Sequence, residues 1–358
     1  MINPDPARSV VLAVFVITCY LCLLLSGPAF AAPVDLTVTG STLLYPLFKL
    51  WVPDYVASNP NVKFTTQATG SGAGINAAIS GTAIIGASDA YLSDEQAEQN
   101  PAIVNIPLAI AAQMINYNVP DIKGSTLKLD GPTLADIYSG AITGWDSKSI
   151  QGLNGSVTLP HHAILPIRRA DASGDTFIFT QFLNFSTPSW EDKIGYGVAV
   201  PWPSVPGEIS ATGNQGMVQA VAATPYSIGY IGISFAEEVA KAGLGIAMVG
   251  NQSQQFLLPT ADTISAGASE LDRRTPADER LSLVFAPGAN SYPLINYEYV
   301  VVSTRQPDAE TAKALRDFLL WANSPLGGNS SKYLDAVHFI PVPDFIRALN
   351  EKQIRRIE

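Results

Sequence analysis

Apolar residues at positions 34, 36 and 38 alternate with Asp35, Thr37 and Thr39, the period-two pattern of a strand with one buried face. Gly40-Ser41-Thr42 breaks that pattern. Leu47, Leu50, Trp51 and Tyr55 then recur at helical spacing behind Pro46, which suits a first helical turn. Val62 to Thr66 predicts a second strand, leading through Ala68-Thr69 into Gly70-Ser71-Gly72-Ala73-Gly74, after which Ile75, Ala78 and Ile79 form the next helical stripe. Ala83 to Ala87 reads as a short buried strand ending at Ser88-Asp89, and Ser93 with Gln96 has the spacing of a capping box. Residues 114–119 are strand-like, 120–130 are polar, and 132–137 carry helix signals. Ile164 to Ile167 predicts a strand that runs into Arg168-Arg169-Ala170-Asp171-Ala172-Ser173-Gly174-Asp175-Thr176, opening a helix with Phe179, Phe182 and Leu183. The polar stretch 252–280 reads as surface structure, 297–303 as a strand of near-continuous β-formers, and 312–319 and 345–357 as late helices.

This strand–turn–helix rhythm implies an α/β architecture with helices on both faces of a sheet. In such folds ligands bind beyond the carboxyl ends of strands, beside helix N-termini. Three breaks fall at such places: 40–42, 70–74 and 168–176. A helix N-terminus presents unpaired N–H groups and the positive end of a dipole, which together favour an anion. Ser41, Thr42, Ser71 and Ser173 add hydroxyls, the glycines at 70, 72, 74 and 174 allow close backbone approach, and Arg169 supplies a planar cation suited to a two-pronged oxyanion contact. Taken singly, each segment is also the composition of an ordinary turn or N-cap, and a lone arginine is ordinarily a surface or salt-bridge residue.

Bulk properties narrow the classes. With 358 residues, 47% of them hydrophobic and 15% charged, the chain has material for a large core and two domains. A net charge of −10 argues against nucleic acid or an anionic membrane as the main partner, so any anion site is built locally against the overall field. Arg8, an apolar run from Val10 to Leu25 and the small residues Ala29 and Ala31 form an export signal with a cut before Ala32; an uncleaved membrane anchor is the alternative. Both cysteines, Cys19 and Cys22, lie in that run, so the mature chain has no disulfide, thiolate catalysis or cysteine-held metal. His161, His162 and His338 have no acidic residue at a familiar ligand spacing, and no nucleotide phosphate loop is present. No catalytic residue, cofactor or metal is assigned, and a metal-dependent phosphatase is the enzyme alternative.

Gly40-Ser41-Thr42-Leu43 with Pro46, Gly70 to Ile75, Gly86-Ala87-Ser88-Asp89-Ala90, and Arg168-Arg169-Ala170-Asp171 with Ser173-Gly174 follow one another in an order and spacing that resembles the phosphate-binding proteins of bacterial high-affinity ABC phosphate-uptake systems. Leu134–Gly140 with Trp145-Asp146, Ile228-Gly229-Tyr230 and Phe339 to Pro343 extend the likeness over nearly the whole mature chain. The resemblance implies a two-lobed periplasmic-binding-protein fold of type II, each lobe a mixed sheet flanked by helices, with a two-strand hinge near 115–120 and 292–299. It divides the chain into a signal peptide (1–31), a first lobe (32–117 and 297–358) and a second lobe (118–296). It implies phosphate held by Thr42, the N–H of Leu43, Ser71, Asp89, Arg169, Ser173 and the N–H of Gly174, in an exported, periplasmic or cell-surface monomer that serves an ABC permease. An exported sensor or scavenger without a transporter shares the same pocket.

Asp175 departs from the family pattern, where a ligand-donating threonine is common. Ligand contact or pairing with Arg169 is preferred here over helix capping, and Asp175 is counted with the phosphate-binding residues. An acid at Asp89 repels a generic anion, but it suits an oxyanion that carries a proton.

Overall fold

The computed structural model describes residues 33–358; the expected export segment, with both cysteines, lies outside the described residues. The chain opens with β1 (Val34–Gly40), α1 (Tyr45–Ser58), β2 (Val62–Ala68), α2 (Ser71–Ser80) and β3 (Ile85–Ser88). After a short helix, Asp94–Gln99, whose Ser93–Gln96 capping box is formed as expected, comes the long β4 (Ile103–Asn118). The middle of the chain supplies α3 (Gly131–Ser139), β5 (Leu165–Arg169), α4 (Gly174–Ser186), β6 (Ile209–Ala211), α5 (Gly213–Ala223), β7 (Ser227–Gly232) and β8 (Gly245–Ile246). The last part returns through β9 (Ile295–Ser303), α6 (Ala309–Asn323) and α7 (Asp344–Ile354).

The main sheet has the order β2-β1-β3-β9-β4-β7-β5-β6, with β8 also on β4. β4 holds it together: residues 103–112 pair antiparallel with β9 and residues 113–118 pair antiparallel with β7. Nearly every β4 residue is buried, the pattern of a strand covered on both faces. The hydrophobic pattern shows only its end, because Ala109, Ala111 and Ala112 give no alternation and Pro107 argues against a central strand. The structure explains that proline. Tyr299 pairs with Pro107 while Glu298 pairs with Ala109, so the ladder slips by one residue at the point where Pro107 has no N–H to give.

Helix α1 buries Leu47, Phe48, Trp51 and Tyr55, whereas Leu50 is 37% exposed. The expected stripe therefore shifts to include Phe48, which packs on Trp51 and on Phe318 of α6. The stretch 252–280 is less superficial than its polarity implies. It contains a helix, Ala261–Leu271, that buries Ile264 and Ala268, and it ends at the fully buried Glu279.

Among the described residues, neither carboxyl oxygen of Glu279 has a hydrogen-bond partner. Burial, helped by the charge of Asp278, pushes this carboxyl up to about 9. A carboxyl raised in the folded state binds its proton more tightly there, so its contribution is present below the ordinary value of 4.5 and is lost as pH rises through about 9. The melting temperature is expected to fall between about pH 5 and about pH 9 in a calorimetric series, and Glu279→Gln to flatten that fall. An unchanged slope in the variant contradicts this assignment.

Candidate functional site

The three breaks noted in the sequence meet in space, and a fourth joins them. Gly40 ends β1, Ser88 ends β3 with Asp89 just beyond it, and Arg169 ends β5. Helices α2, α4 and α5 start at Ser71, Gly174 and Gly213; the first two starts meet at Asp89, while the Gly213 and Asn214 N–H groups of α5 donate to Asp171 Oδ1 at 3.0 Å and Thr42 Oγ1 at 3.2 Å. The Ser41 N–H donates to Ala87 O, and the Thr69 and Gly70 N–H groups both donate to Gly40 O, each at 2.8 Å. Gly70 has φ +94° and lies against Asp171 and Ala172, so a side chain there would be both strained and crowded. The Gly72 N–H donates to Ala172 O at 3.0 Å, tying the second loop to the arginine loop.

Asp89 lies at the centre and is fully buried. Ser41 Oγ donates to its Oδ1, its backbone N–H donates to Ser71 Oγ at 3.1 Å, and Asn296 Nδ2 donates to its carbonyl at 2.8 Å. Gly174 presses so close that an added Cβ would overlap Asp89 Oδ2 and Ser71 Oγ. Burial, then the charge of Asp175, raises the Asp89 carboxyl to about 7, against the pull of Ser41 and Arg169.

Arg169 is 4% exposed. Its two-pronged contact goes to Asp171, with Nε donating to Oδ1 at 2.8 Å and Nη2 to Oδ2. Its Nη1 donates to Asp175 Oδ2 at 2.6 Å. Three of the five guanidinium N–H donors are thereby used, leaving two for a ligand. Burial works to lower the guanidinium pKa, but Asp171 and Asp175 outweigh it and hold the cation firmly charged. Burial also opposes ionisation of Asp171, yet the Arg169 contact keeps it below the usual carboxylate range. Of the roles open to Asp175, pairing with Arg169 is the one the structure shows; burial raises this carboxyl, with Arg169 and Asn214 pulling the other way.

All eight residues expected at the site are brought into this one neighbourhood. Thr42 Oγ1 accepts from the N–H and Nδ2 of Asn214, at 3.2 and 3.0 Å, and Asn214 Nδ2 also donates to Asp175 Oδ2 at 2.7 Å. Leu43 follows Thr42, its carbonyl accepting from Ser234 Oγ at 2.8 Å. Ser173 is buried and caps α4 by accepting from the Thr176 N–H. Ser71 and Gly174 meet at Asp89 as described.

Sequence reasoning missed Asn214, Gln113 and Glu298. Gln113 Nε2 donates to the Asp175 carbonyl at 2.7 Å. A signal existed for two of the three: Thr212-Gly213-Asn214 is another strand end, glycine and helix start, and Glu298 is the lone charge in an apolar strand. His161 and His162 have partners of their own. His161 pairs with Asp146 at 2.6 Å on the surface, and His162 stacks on Tyr226.

A family model described as the PBP superfamily domain matches residues 27–325. The phosphate-binding protein PstS of Methanocaldococcus jannaschii is 31% identical over 89% of this chain and 85% of its own length. PstS of Haemophilus influenzae is 31% identical over 90% and 93%. Among solved structures, the phosphate-binding protein of Stenotrophomonas maltophilia superposes with a TM-score of 0.66 at 21% identity, over 90% of this chain and 94% of that one. These likenesses carry the mixed α/β fold, and the chain belongs to the PBP superfamily and, within it, to the phosphate-binding proteins named PstS.

Proposed function

We propose that this protein binds one inorganic phosphate ion between two lobes and delivers it to an ABC transporter for import. The observation that carries the reading is the meeting of the α2 and α4 N-termini at the buried acceptor Asp89, with the buried Arg169 and the α5 start tied to them through Asp171, Asp175 and Thr42. Donors at helix starts and a guanidinium recognise an oxyanion, and a carboxyl in their midst selects one that brings a proton. The names of the relatives agree with that chemistry. In this reading Thr42, Ser71 and Ser173, the N–H groups of Leu43 and Gly174, and the remaining Arg169 donors face phosphate. Asp89 accepts the ligand's proton, and Asp175 holds Arg169 in place.

The lobes are 32–117 with 297–358, and 118–296, and the crossings at β4 and β9 serve as the hinge. Phosphate touching both lobes favours their closed arrangement through its contacts to each. The leader 1–31 directs export to the periplasm or cell surface, where the protein works as a monomer. Calorimetric titration with phosphate, sulfate and arsenate tests the reading. Tight phosphate binding without a sulfate signal is expected, and sulfate binding as tight as phosphate sinks it.

Gly174 provides a test of closure. Its backbone is not in the left-handed region, so Gly174→Ala is compatible with the local chain, yet the new Cβ overlaps Asp89 and Ser71 when the lobes meet. The variant is expected to fold with a modestly lowered melting temperature, to lose at least about 100-fold in phosphate affinity, and to show no ligand-induced compaction in scattering. Wild-type affinity with normal compaction refutes the clamp.

A further inference from the structure

Glu298 is a buried acid that the phosphate-site assignment leaves unexplained. It is fully buried in β9, and among the described residues no N–H or O–H donor reaches either of its oxygens. The register of β9 on β3 says what it faces. Tyr299 pairs with Ser88 and Val300 with Ala87, so the next step of the antiparallel ladder sets Glu298 opposite Asp89. The slip between Glu298 and Tyr299 on the β4 side falls at the same place, and Asn296, two residues earlier on β9, already holds the Asp89 carbonyl. Two carboxyls opposite one another in a dry sheet cannot both be ionised, so the pair carries a proton.

We propose that Glu298 holds that proton at neutral pH and donates it in a hydrogen bond to Asp89, thereby keeping Asp89 an ionised acceptor selective for a protonated oxyanion. The inference rests on the phosphate reading and adds a positioning residue to it.

The surroundings decide which partner holds the proton. Asp89 has the Ser41 hydroxyl, the α4 N-terminus and Arg169 of β5 to favour its charged form. The charged groups facing Glu298 are Asp89 from β3 and Asp175 from α4, both acidic, and β4 places Ala109 beside it. Burial and then the Asp89 charge hold the Glu298 carboxyl well above its ordinary range, while the contact with Glu298 lowers Asp89. Removing the donor makes an ionised Asp89 costlier, so Asp89 takes up a proton itself. A protonated Asp89 offers an O–H to an oxyanion that has no proton of its own, such as sulfate, and accepts less readily from phosphate.

Full-length mature protein and its Glu298→Leu and Glu298→Gln variants test this with phosphate and sulfate titrations between about pH 6 and about pH 9, and with infrared spectra of the ligand-free protein. Leucine removes the donor: phosphate affinity is expected to drop about 10- to 100-fold at neutral pH, to recover toward the alkaline end, and sulfate binding to appear. Glutamine keeps a neutral donor, so affinity within about threefold of wild type and continued blindness to sulfate are expected, together with loss of a protonated-carboxyl band from the infrared spectrum. A leucine variant with the wild-type pH profile and selectivity overturns the proposal, as does a glutamine variant as impaired as leucine. If the leucine variant does not fold, the glutamine variant decides alone, and a loss of tenfold or more in its affinity overturns the role. A wild type that binds no phosphate removes the functional reading and the selectivity role with it, whereas an infrared band unchanged in the glutamine variant removes the protonated pair alone.

Discussion

Arg169→Ala is expected to abolish measurable phosphate binding and to destabilise the protein by about 3–5 kcal/mol at neutral pH. The side chain is 1% exposed and is the cation that pairs with both Asp171 and Asp175. Its removal leaves two carboxylates uncompensated in a site where burial already raises Asp175. Both would take up protons more readily in the folded variant than in the unfolded chain. A raised carboxyl contributes stability at low pH and loses it as pH rises, so the deficit is largest above neutrality and shrinks toward about pH 4. Arg169→Lys keeps a charge but loses the planar fork, and is expected to fall between wild type and alanine on both counts. Urea unfolding at several pH values together with phosphate calorimetry checks these outcomes. An alanine variant with wild-type stability removes the buried network as a structural unit.

What the sequence made legible follows the range of each interaction. Thr42, Ser71, Ser173 and Gly174 were readable because their chemistry is local: a strand end, a small residue and a helix start occupy consecutive positions. The partners that complete the site lie far away along the chain. Ser41 reaches Asp89 across 48 positions, Asn214 reaches Thr42 across 172, and Asn296 reaches Asp89 across 207. Turn chemistry and periodicity carry no information about such pairings, which are set by the order of strands in the sheet. The same holds for β4, whose burial on both faces erases the alternation that marks a half-exposed strand. Arg169 stood out in the sequence, but the target of its fork did not: the two-pronged contact suited to an oxyanion goes to Asp171. Asp175 shows why a one-letter departure from a family pattern matters. At this position the chain carries a carboxylate that accepts from Arg169 Nη1 at 2.6 Å.

In the proposed reading Asp89 is the group on which anion choice turns, and Asp89→Asn is expected to have the second large effect. An asparagine keeps the size and one acceptor oxygen, but its amide presents N–H donors where the site now accepts a proton. Phosphate loses a charge-assisted hydrogen bond, a reduction of about 10- to 100-fold in affinity. Sulfate gains a donor and no longer meets a carboxylate, so its rejection, of order 10⁴–10⁵-fold for a site built around a ligand hydroxyl, is expected to shrink by about two decades or more. Ser41 holds the side chain and Asn296 the backbone carbonyl of residue 89, so the substitution is expected to leave the fold intact. Competition calorimetry, with sulfate displaced by phosphate at fixed pH, reads the ratio directly. If Asp89→Asn discriminates against sulfate as strongly as the wild type, selectivity resides in the donors of the three helix starts and not in a proton passed to a carboxyl.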